Sequence, residues 1–519
     1  MKNKIVTVEA AIGLIKDGVT VASGGSGGGV LEATLVLKRL EEKFLATGHP
    51  CRLTYVHASG LGDKKDGGTN RFAHEGMVKR VIGGHWGWST RMMQLANENK
   101  IEAYNLSQGV MTQLYREIAA HRPGLITHIG LKTFVDPRVE GGKLNTVTRE
   151  DIVEVIDVKG TKLLLYKAFP IDVAIIRGTT ADEYGNITME EEAVYLETLA
   201  LAQAARNSGG KVICQVKYLA RAGTLSSREV KIPGILVDAV VVDENQRQSV
   251  EGEYNPGFAG RTVIPTDRLQ PMELDVRKVV ARRAAMELKA DSVVNLGFGM
   301  ADGVATIAAE EGFADEITFT IEQGLIGGVP ARGVIFGVAT NYMALLDEPA
   351  QFDFYNGGGL DCTFLGLAQC DRAGNVNVSK FGPTITGSGG FIDISQSAKK
   401  AVFCGTFTGG GLAVAIREGK LEICSEGRFN KFVAAVEQIT FSGEYAGEKG
   451  QEVLYITERA VFKLTDGGVA LIEIAPGVDI ERDILALMDF KPIIKEPLKT
   501  MDGRIFCPEV MGLGKEIRS

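Results

Sequence analysis

The sequence predicts an α/β protein made of two tandem, related open α/β domains. Three observations indicate this fold class: short apolar strands that end in glycine clusters, helical segments that alternate with those strands, and a turn motif that occurs in both halves. With 519 residues the chain is too long for one hydrophobic core, so at least two domains are expected.

The first elements follow the order typical of α/β proteins. Residues 8–16 have apolar side chains at helical spacing, and 19–22 form a strand that enters the glycine loop 24–29. A helix over 31–45 and a strand over 53–57 follow. The loop does not match the dinucleotide fingerprint G-x-G-x-x-G, so the sequence gives little support for a bound dinucleotide.

A short repeat supports the tandem arrangement. The pattern D-x-x-G-N occurs at 182–186 and again at 371–375, and a weaker similarity relates the segments around residues 17 and 291 in the same order. The predicted domains are therefore 1–245, with an irregular insertion at about 60–145, and 273–519. Residues 246–272 are polar and contain three prolines, which is typical of a linker.

Composition excludes several classes of function. The net charge of −8, with both signs well mixed, argues against a nucleic-acid partner. No run approaches the ~18 uncharged apolar residues of a membrane span, and no signal peptide is indicated at the N-terminus. The seven cysteines show no C-x-x-C spacing, which favours reduced thiols and a cytoplasmic location.

The spacing of ligand-forming residues gives no support for a metal site or a redox cofactor. All six histidines lie within the first 128 residues, and neither H-E-x-x-H nor C-x-x-C is present. If a nucleophile in the second half relied on a histidine as its base, that histidine would have to come from the first half.

The most informative stretch is the segment around Glu322. Alternating β-branched and aromatic residues over 317–321 predict a strand, and Glu322 stands at its end before a turn with Gly324, Gly327 and Gly328. In open α/β sheets, that end of a strand faces the ligand crevice. A carboxylate at such a place could be a nucleophile toward an acyl thioester, although a lone glutamate at a strand end is more often a surface residue.

Glycine clusters could supply the backbone N–H groups that such a nucleophile needs. An oxyanion requires donors placed close to it, and backbone approaches a ligand most easily where no Cβ intervenes. The clusters are at 24–29, 297–299, 357–359 and 387–390. A strand over 352–355 is predicted before the third cluster. Each cluster taken alone is better explained as a tight turn.

The motifs together resemble family I coenzyme A transferases, over nearly the whole chain. The resemblance is carried by Glu322-Gln323-Gly324 with Ile326-Gly327-Gly328-Val329-Pro330, by 357–361, 365–371 and 389–392, and by 181–187 in the first half. It is closest to propionate or short-chain acyl CoA-transferases that carry both halves on one chain. The resemblance implies an active site at the interface of the two domains.

The resemblance also implies a ping-pong reaction and a set of roles. Glu322 would form an acyl-glutamyl anhydride and then a glutamyl-CoA thioester, moving CoA from a short-chain acyl-CoA to an acid such as acetate or propionate. Gln108 and the backbone of Gly389 would serve the oxyanion. CoA contacts would come from Gly297, Phe298, Gly299, Gly358, Gly359 and Gly390.

The implied binding partners are acyl-CoA and small carboxylic acids. CoA would be a substrate, and no separate cofactor is implied. The resemblance also implies a homo-oligomer (dimer or tetramer). Met300-Ala301-Asp302 after Gly299, and Gln323, depart from the pattern of close relatives and leave the acyl preference open. An acyl-CoA hydrolase that uses the same glutamate is the close alternative. A sugar-phosphate isomerase and a non-catalytic ligand sensor are more distant ones.

Overall fold

The computed structural model describes residues 3–265, 271–297, 299–331 and 333–518. The chain divides into two compact units. The first consists of Met1–Ile264, Glu322–Asp353 and Phe381–Asp393, and the second of Pro265–Ile321, Phe354–Lys380 and Ile394–Ser519. Each predicted domain is one continuous stretch of the chain, and these domain boundaries stay a prediction. The two compact units, in contrast, are each made of several separate segments, and Glu322 belongs to the first unit.

The elements confirm an α/β fold. The α-helices are α1 Val8–Ile12, α2 Thr34–Thr47, α3 Thr90–Asn97, α4 Gln108–Ala119, α5 Thr198–Asn207, α6 Val276–Ala285, α7 Gly303–Glu310, α8 Glu348–Asn356, α9 Phe391–Ser397, α10 Gly443–Lys449, α11 Ile480–Asp483 and α12 Leu513–Ile517. None of these helices in the described part of the chain has the length and apolar character needed to cross a bilayer.

The strands of the first half are β1 Thr20–Ser23, β2 Leu53–His57, β3 Val78–Gly83, β4 Glu102–Asn105, β5 Gly124–Thr127, β6 Val153–Val158, β7 Thr161–Lys167, β8 Val173–Arg177, β9 Thr180–Asp182, β10 Ile187–Thr188, β11 Lys211–Val216, β12 Tyr218–Ala220, β13 Val230–Ile232 and β14 Ala239–Val242.

The later strands are β15 Val293–Leu296, β16 Thr318–Ile321, β17 Leu325–Ile326, β18 Val329–Pro330, β19 Ala339–Thr340, β20 Ala344–Leu345, β21 Cys362–Gly366, β22 Gln369–Cys370, β23 Val376–Asn377, β24 Lys380–Phe381, β25 Thr384–Ile385, β26 Lys400–Cys404, β27 Thr408–Gly409, β28 Ala413–Arg417, β29 Lys420–Ser425, β30 Phe429–Asn430, β31 Glu452–Ile456, β32 Ala460–Thr465, β33 Gly468–Ile474 and β34 Ile493–Thr500.

A seven-stranded parallel sheet forms the centre of the first unit. Its strand order is β14-β11-β8-β1-β2-β3-β4. Side chains such as Val21, Tyr55 and Val81 on the strands and Leu37 and Leu40 on α2 share one hydrophobic core. Burial on both faces explains why strands such as β8 and β14 are runs of apolar residues without polar alternation.

The segment 60–145, predicted to be irregular, contains two strands of this sheet. Strands β3 and β4 pair in parallel with their neighbours, and α3 and α4 follow them. The sequence pattern is weak here because β3 and β4 carry charged residues such as Arg80 and Glu102, which form an ion pair with each other. The stretch therefore belongs to the regular α/β succession and is not an added loop.

The second unit contains its own sheet, in the order β16-β15-β21-β26-β31-β32-β33-β34. Strands β16, β15, β21, β26 and β31 are parallel, and β31, β32 and β33 are antiparallel neighbours. Strands β31 and β32 form an antiparallel hairpin. The strand predicted at 352–355 is wrong, because these residues lie in α8.

The repeated D-x-x-G-N motif forms the same turn twice. Asp182 accepts hydrogen bonds from the backbone N–H and the side-chain amide of Asn186, both at 2.9 Å. Asp371 accepts the same pair from Asn375 at 3.1 and 3.0 Å. The glycine before each asparagine has φ of +82° or +81°, a conformation that favours glycine. The motif therefore has a structural role in each unit.

Candidate active site

Four neighbouring strands of the first sheet end at the same edge, and each is followed by a residue of the candidate site. Because β1 to β4 are parallel, Gly24, Ser59, His85 and Gln108 follow them on the carboxyl side of the sheet. This is the edge at which open α/β sheets bind ligands.

Gln108 is held by both its backbone and its side chain. It is the first residue of α4 and is only 3% exposed. Its backbone N–H donates to the carbonyl oxygen of Gly389 at 2.8 Å, and its Nε2 donates to Glu348 Oε1 at 2.5 Å. A carboxamide nitrogen carries two hydrogens, so the second N–H can still donate to a ligand.

Gly389 lies beside Gln108, as the predicted shared role requires. A Cβ at Gly389 would lie 3.6 Å from Gln108 Oε1 and 3.4 Å from His85 Cδ2. The N–H of Gly389, however, donates to the carbonyl oxygen of Gly84 at 2.8 Å. The next residue, Gly390, is buried, and its N–H has no hydrogen-bond partner among the residues that the structure describes.

Asp393 fixes the segment that contains Gly389. Its buried carboxylate accepts hydrogen bonds from Ser107 Oγ and, at 3.2 Å, from the N–H of Gly109. Ser107 Oγ is also 3.2 Å from the carbonyl oxygen of Gly389. The start of α4 and the start of α9 are thereby tied together on both sides of Gln108.

Glu322 directly follows β16, which confirms the predicted strand end. Its carboxylate is half-buried, and its Oε1 lies 3.5 Å from Nε2 of Gln323. The turn behind it is tight: a Cβ at Gly324 would lie 2.1 Å from the carbonyl oxygen of Leu346. Gly324 also has φ of +108°, so the glycine is required at this position.

Two buried carboxyl groups, Glu197 and Glu348, accompany these residues, and no sequence pattern pointed to them. They are 1% and 0% exposed. Burial and the neighbouring charge of Glu197 raise the pKa of Glu348 well above its usual range, and the charge of Glu322 adds to this rise. Glu348 therefore hydrogen-bonds to Gln108 and is also affected by the charge of Glu322, while the catalytic roles of Glu322 and Gln108 stay predictions.

Two histidines lie near the same edge of the sheet. Burial lowers the pKa of His57 and of His85 to about 4, so both rings are neutral at pH 7. His57 Nδ1 is 2.8 Å from the carbonyl oxygen of Ser59. A neutral imidazole next to Gly389 adds no charge to the site.

Comparison with known proteins identifies the family. The family model described as "Coenzyme A transferase" matches residues 5–243. The chain is 48% identical over 509 residues to acetate CoA-transferase YdiF of Escherichia coli K12, covering 98% of this chain and 96% of that protein. It is 50% identical over 519 residues to caffeate CoA-transferase of Acetobacterium woodii, covering 98% of each. The chain belongs to the coenzyme A transferase family.

A solved structure of the family agrees with the fold. The thioester complex with CoA of the E. coli O157:H7 acyl-CoA transferase YdiF matches with a TM-score of 0.94 at 47% identity, covering 98% of this chain and 97% of that one. The predicted enzyme class and the α/β fold class are thus confirmed for this transferase.

The other glycines predicted to contact CoA lie in the second unit. The N–H of Gly297, directly after β15, donates to the carbonyl oxygen of Phe364 at 2.8 Å. Gly299 and Gly358 have φ of +100° and +88°, and Gly359 is packed against the ring of Phe354. Phe298 lies outside the described residues. The roles of these glycines in binding CoA stay predictions.

Candidate metal ligands come together away from this edge of the sheet. Asp17, His49 and Cys51 are close to one another near the surface. The Asp17 carboxylate is already used, since one oxygen is 2.8 Å from His49 Nδ1 and the other accepts the N–H of Cys51 at 2.9 Å. All seven cysteines of the transferase are free thiols.

Proposed function

We propose that this transferase moves CoA from a short-chain acyl-CoA to a free carboxylic acid, with Glu322 as the nucleophile. The observation that carries the proposal is the position of the Glu322 carboxylate at the end of β16, half-buried and close to the Gln108–Glu348 pair. A carboxylate shielded from bulk water is a better nucleophile toward a thioester than a solvated one, and shielding also limits hydrolysis.

The proposed reaction consists of two exchanges at one carboxylate. A Glu322 oxygen attacks the acyl-CoA carbonyl, the C–S bond breaks, and an acyl-glutamyl anhydride and CoA thiolate result. The thiolate attacks the side-chain carbonyl of Glu322, which releases the first acid as a carboxylate and leaves a glutamyl-CoA thioester. The acceptor acid reverses these steps, so that no proton, electron or water is consumed overall.

Each exchange passes through an oxyanion that needs hydrogen-bond donors. The second N–H of Gln108 is one donor in our proposal. The N–H of Gly389 is occupied by Gly84, so the buried N–H of Gly390 is the better second donor, in place of the contact to CoA first predicted for it. One such donor contributes about 2.7–4 kcal/mol to transition-state stabilisation in enzymes of this general type.

The acyl range belongs to the proposal as well. The two relatives of nearly equal identity are named for acetate and for caffeate, which differ greatly in size. Acetate and propionate are the proposed acids of this enzyme. The proposal includes a homo-oligomer of the fused chain, a cytoplasmic location inferred from the free thiols, and CoA as substrate with no separate cofactor.

The decisive experiment traps the thioester. The enzyme is incubated with propionyl-CoA, treated with borohydride and digested, and reduction is expected at Glu322 with irreversible loss of activity. The variant Glu322→Ala should lose several orders of magnitude in kcat. Asp315→Asn, an exposed carboxylate just before β16, is the matched control and should behave as wild type. Full activity after borohydride treatment would disprove the covalent mechanism.

A second assay separates transfer from hydrolysis. Propionyl-CoA is supplied with and without acetate, and acetyl-CoA and free CoA are quantified. The transferase forms acetyl-CoA only with acetate, whereas a hydrolase releases free CoA in both cases. Caffeate in place of acetate then tests the acyl range.

A further inference from the structure

The Glu197–Glu348 pair is the strongest buried cluster that the proposed reaction does not use. Glu197 precedes the first residue of α5, and Glu348 is the first residue of α8. The N–H of Glu348 donates to the carbonyl oxygen of Leu196 at 3.0 Å, which joins the two helix starts. Leu196 adopts φ of +49°, an unfavourable conformation for leucine that the surrounding structure has to maintain.

Only one of the four oxygens of the two carboxyl groups has a hydrogen-bond donor from another residue in the described chain. Glu348 Oε1 accepts from Gln108 Nε2 at 2.5 Å and lies 3.5 Å from Ser59 Oγ. Glu348 Oε2 and both oxygens of Glu197 are buried without another hydrogen-bond partner in the described chain. The two side chains are in hydrogen-bonding contact with each other. Two carboxyl groups that interact directly can hydrogen-bond to each other only if one of them is protonated.

We propose that Glu197 and Glu348 share one proton in the active enzyme, and that Glu348 is a positioning residue that orients the Gln108 carboxamide toward the reacting acyl group. The inference rests on the proposed function, since Gln108 matters only if an oxyanion forms near it. The shared proton also limits the pair to one negative charge beside Glu322, whose reaction develops further negative charge.

The charges around the pair are consistent with this assignment. Burial raises the pKa of both Glu197 and Glu348. The titratable groups that face the pair are Glu322 and the hydroxyls of Tyr115 and Tyr55, and the pKa values of both tyrosines are raised by burial. Arg116 and Asp347 line a small pocket together with Glu197. The pair loses its proton as the pH rises, and the charged group outside the pair that acts on Glu348 is the carboxylate of Glu322.

The test compares Glu348→Gln with Glu348→Ala. The glutamine keeps an acceptor for Gln108 and a donor for Glu197 but cannot ionise, so kcat should stay within about threefold of wild type. The alanine releases Gln108, and kcat should fall about 10- to 100-fold at every pH. Wild-type kcat/KM should decline on the alkaline side as the pair loses its proton, and Glu348→Gln should not show this decline.

The matched control is Glu32→Gln. Glu32 is another buried glutamate of the first unit with a raised pKa, and it forms no hydrogen bond to Gln108. This variant should keep the alkaline decline. Infrared spectra of wild type should contain the C=O band of a protonated carboxylic acid that Glu348→Gln removes, and Glu32→Gln should retain that band.

Three results would overturn the inference: an unchanged alkaline decline in Glu348→Gln, equal kcat in the alanine and glutamine variants, or the absence of the infrared change. Borohydride trapping at Glu322 is measured on the same proteins. If trapping fails in wild type, the proposed function fails. If trapping succeeds but the pH profile does not depend on residue 348, only the role of the pair is wrong.

Discussion

The backbone N–H of Gln108 donates to the carbonyl oxygen of Gly389 at 2.8 Å. This bond places the first turn of α4 against the loop before α9. The Gln108 side chain then reaches Glu348, so one residue is fixed at three points: its N–H, its carboxamide and its helix. Such fixation is what an oxyanion donor requires, because a donor that must reorganise during the reaction stabilises the transition state less.

The first prediction concerns the Gln108 side chain. Gln108→Ala keeps the backbone bond to Gly389 but removes one proposed oxyanion donor, so kcat should fall about 100-fold with little change in KM for acyl-CoA. Steady-state kinetics with propionyl-CoA and acetate measure this. Gln203→Ala, an exposed glutamine on α5, is the control and should match wild type. A large rise in KM with unchanged kcat would instead indicate a role in binding.

The second prediction concerns Asp393. Asp393→Ala leaves the N–H of Gly109 without its acceptor, at a cost of about 1–3 kcal/mol for that buried group, and leaves Ser107 Oγ only the carbonyl oxygen of Gly389. Asp393→Asn keeps an oxygen at that position and should cost less. We expect the alanine variant to show the lower melting temperature and the lower kcat. Equal melting temperatures for the two variants would contradict this account of the loop.

Local pattern predicts that a strand ends just before Glu322, but it does not predict which residues surround Glu322. Alternating residues and clustered glycines specify a strand end within a few positions, and the structure confirms β16 there. The aromatic residues at 352–355 also favour a strand, yet Glu348-Pro349 begins a helix, as an acidic residue and a proline in the first turn commonly do.

The Glu197–Glu348 contact depends on where α5 and α8 begin in three dimensions. No spacing within one sequence contains that information. The choice of backbone donor shows a related limit of sequence reasoning. The resemblance implied a donor in this loop at Gly389, but the hydrogen bonds among the described residues show that the N–H of Gly389 is already used, whereas that of Gly390 is not.

The third prediction concerns Gly60, which follows β2. A Cβ at Gly60 would lie 2.4 Å from Trp88 Cδ1 and 2.7 Å from His85 Nδ1, so Gly60→Ala must displace both rings. Because His85 adjoins Gly389, we expect lower kcat as well as a lower melting temperature. Gly447→Ala is the matched control, because that glycine lies within α10 and a Cβ added there would meet open space. Alanine at this position should raise the free energy of unfolding by up to about 1 kcal/mol.

The result for Gly60→Ala is measured by thermal unfolding and by the propionyl-CoA assay. A variant that melts as wild type and turns over normally would show that Trp88 and His85 can move without consequence for the site. Loss of stability in Gly447→Ala would mean that alanine substitution at glycine is harmful in this chain regardless of contacts.

The fourth prediction is a pH dependence of stability due to Glu32. Its carboxyl is 1% exposed, Oε1 accepts the N–H of Gly68 at 2.9 Å, and Oε2 has no partner in the described chain. Burial raises its pKa from 4.5 to about 7. Between these values the folded state keeps a proton that the unfolded state has released, so the free energy of unfolding falls as pH rises, by roughly 3 kcal/mol in total.

Glu32→Gln cannot ionise and should remove this part of the pH dependence. Urea unfolding of both proteins at about pH 5 and about pH 8 measures the effect, and the wild type should lose more stability at the higher pH than the variant does. Glu42→Gln, an exposed glutamate on α2 that pairs with Arg39, is the control and should retain the wild-type difference. If Glu32→Gln shows the same loss as wild type, Glu32 is ionised in the folded state throughout this range, and a donor other than Gly68 must then reach its second oxygen.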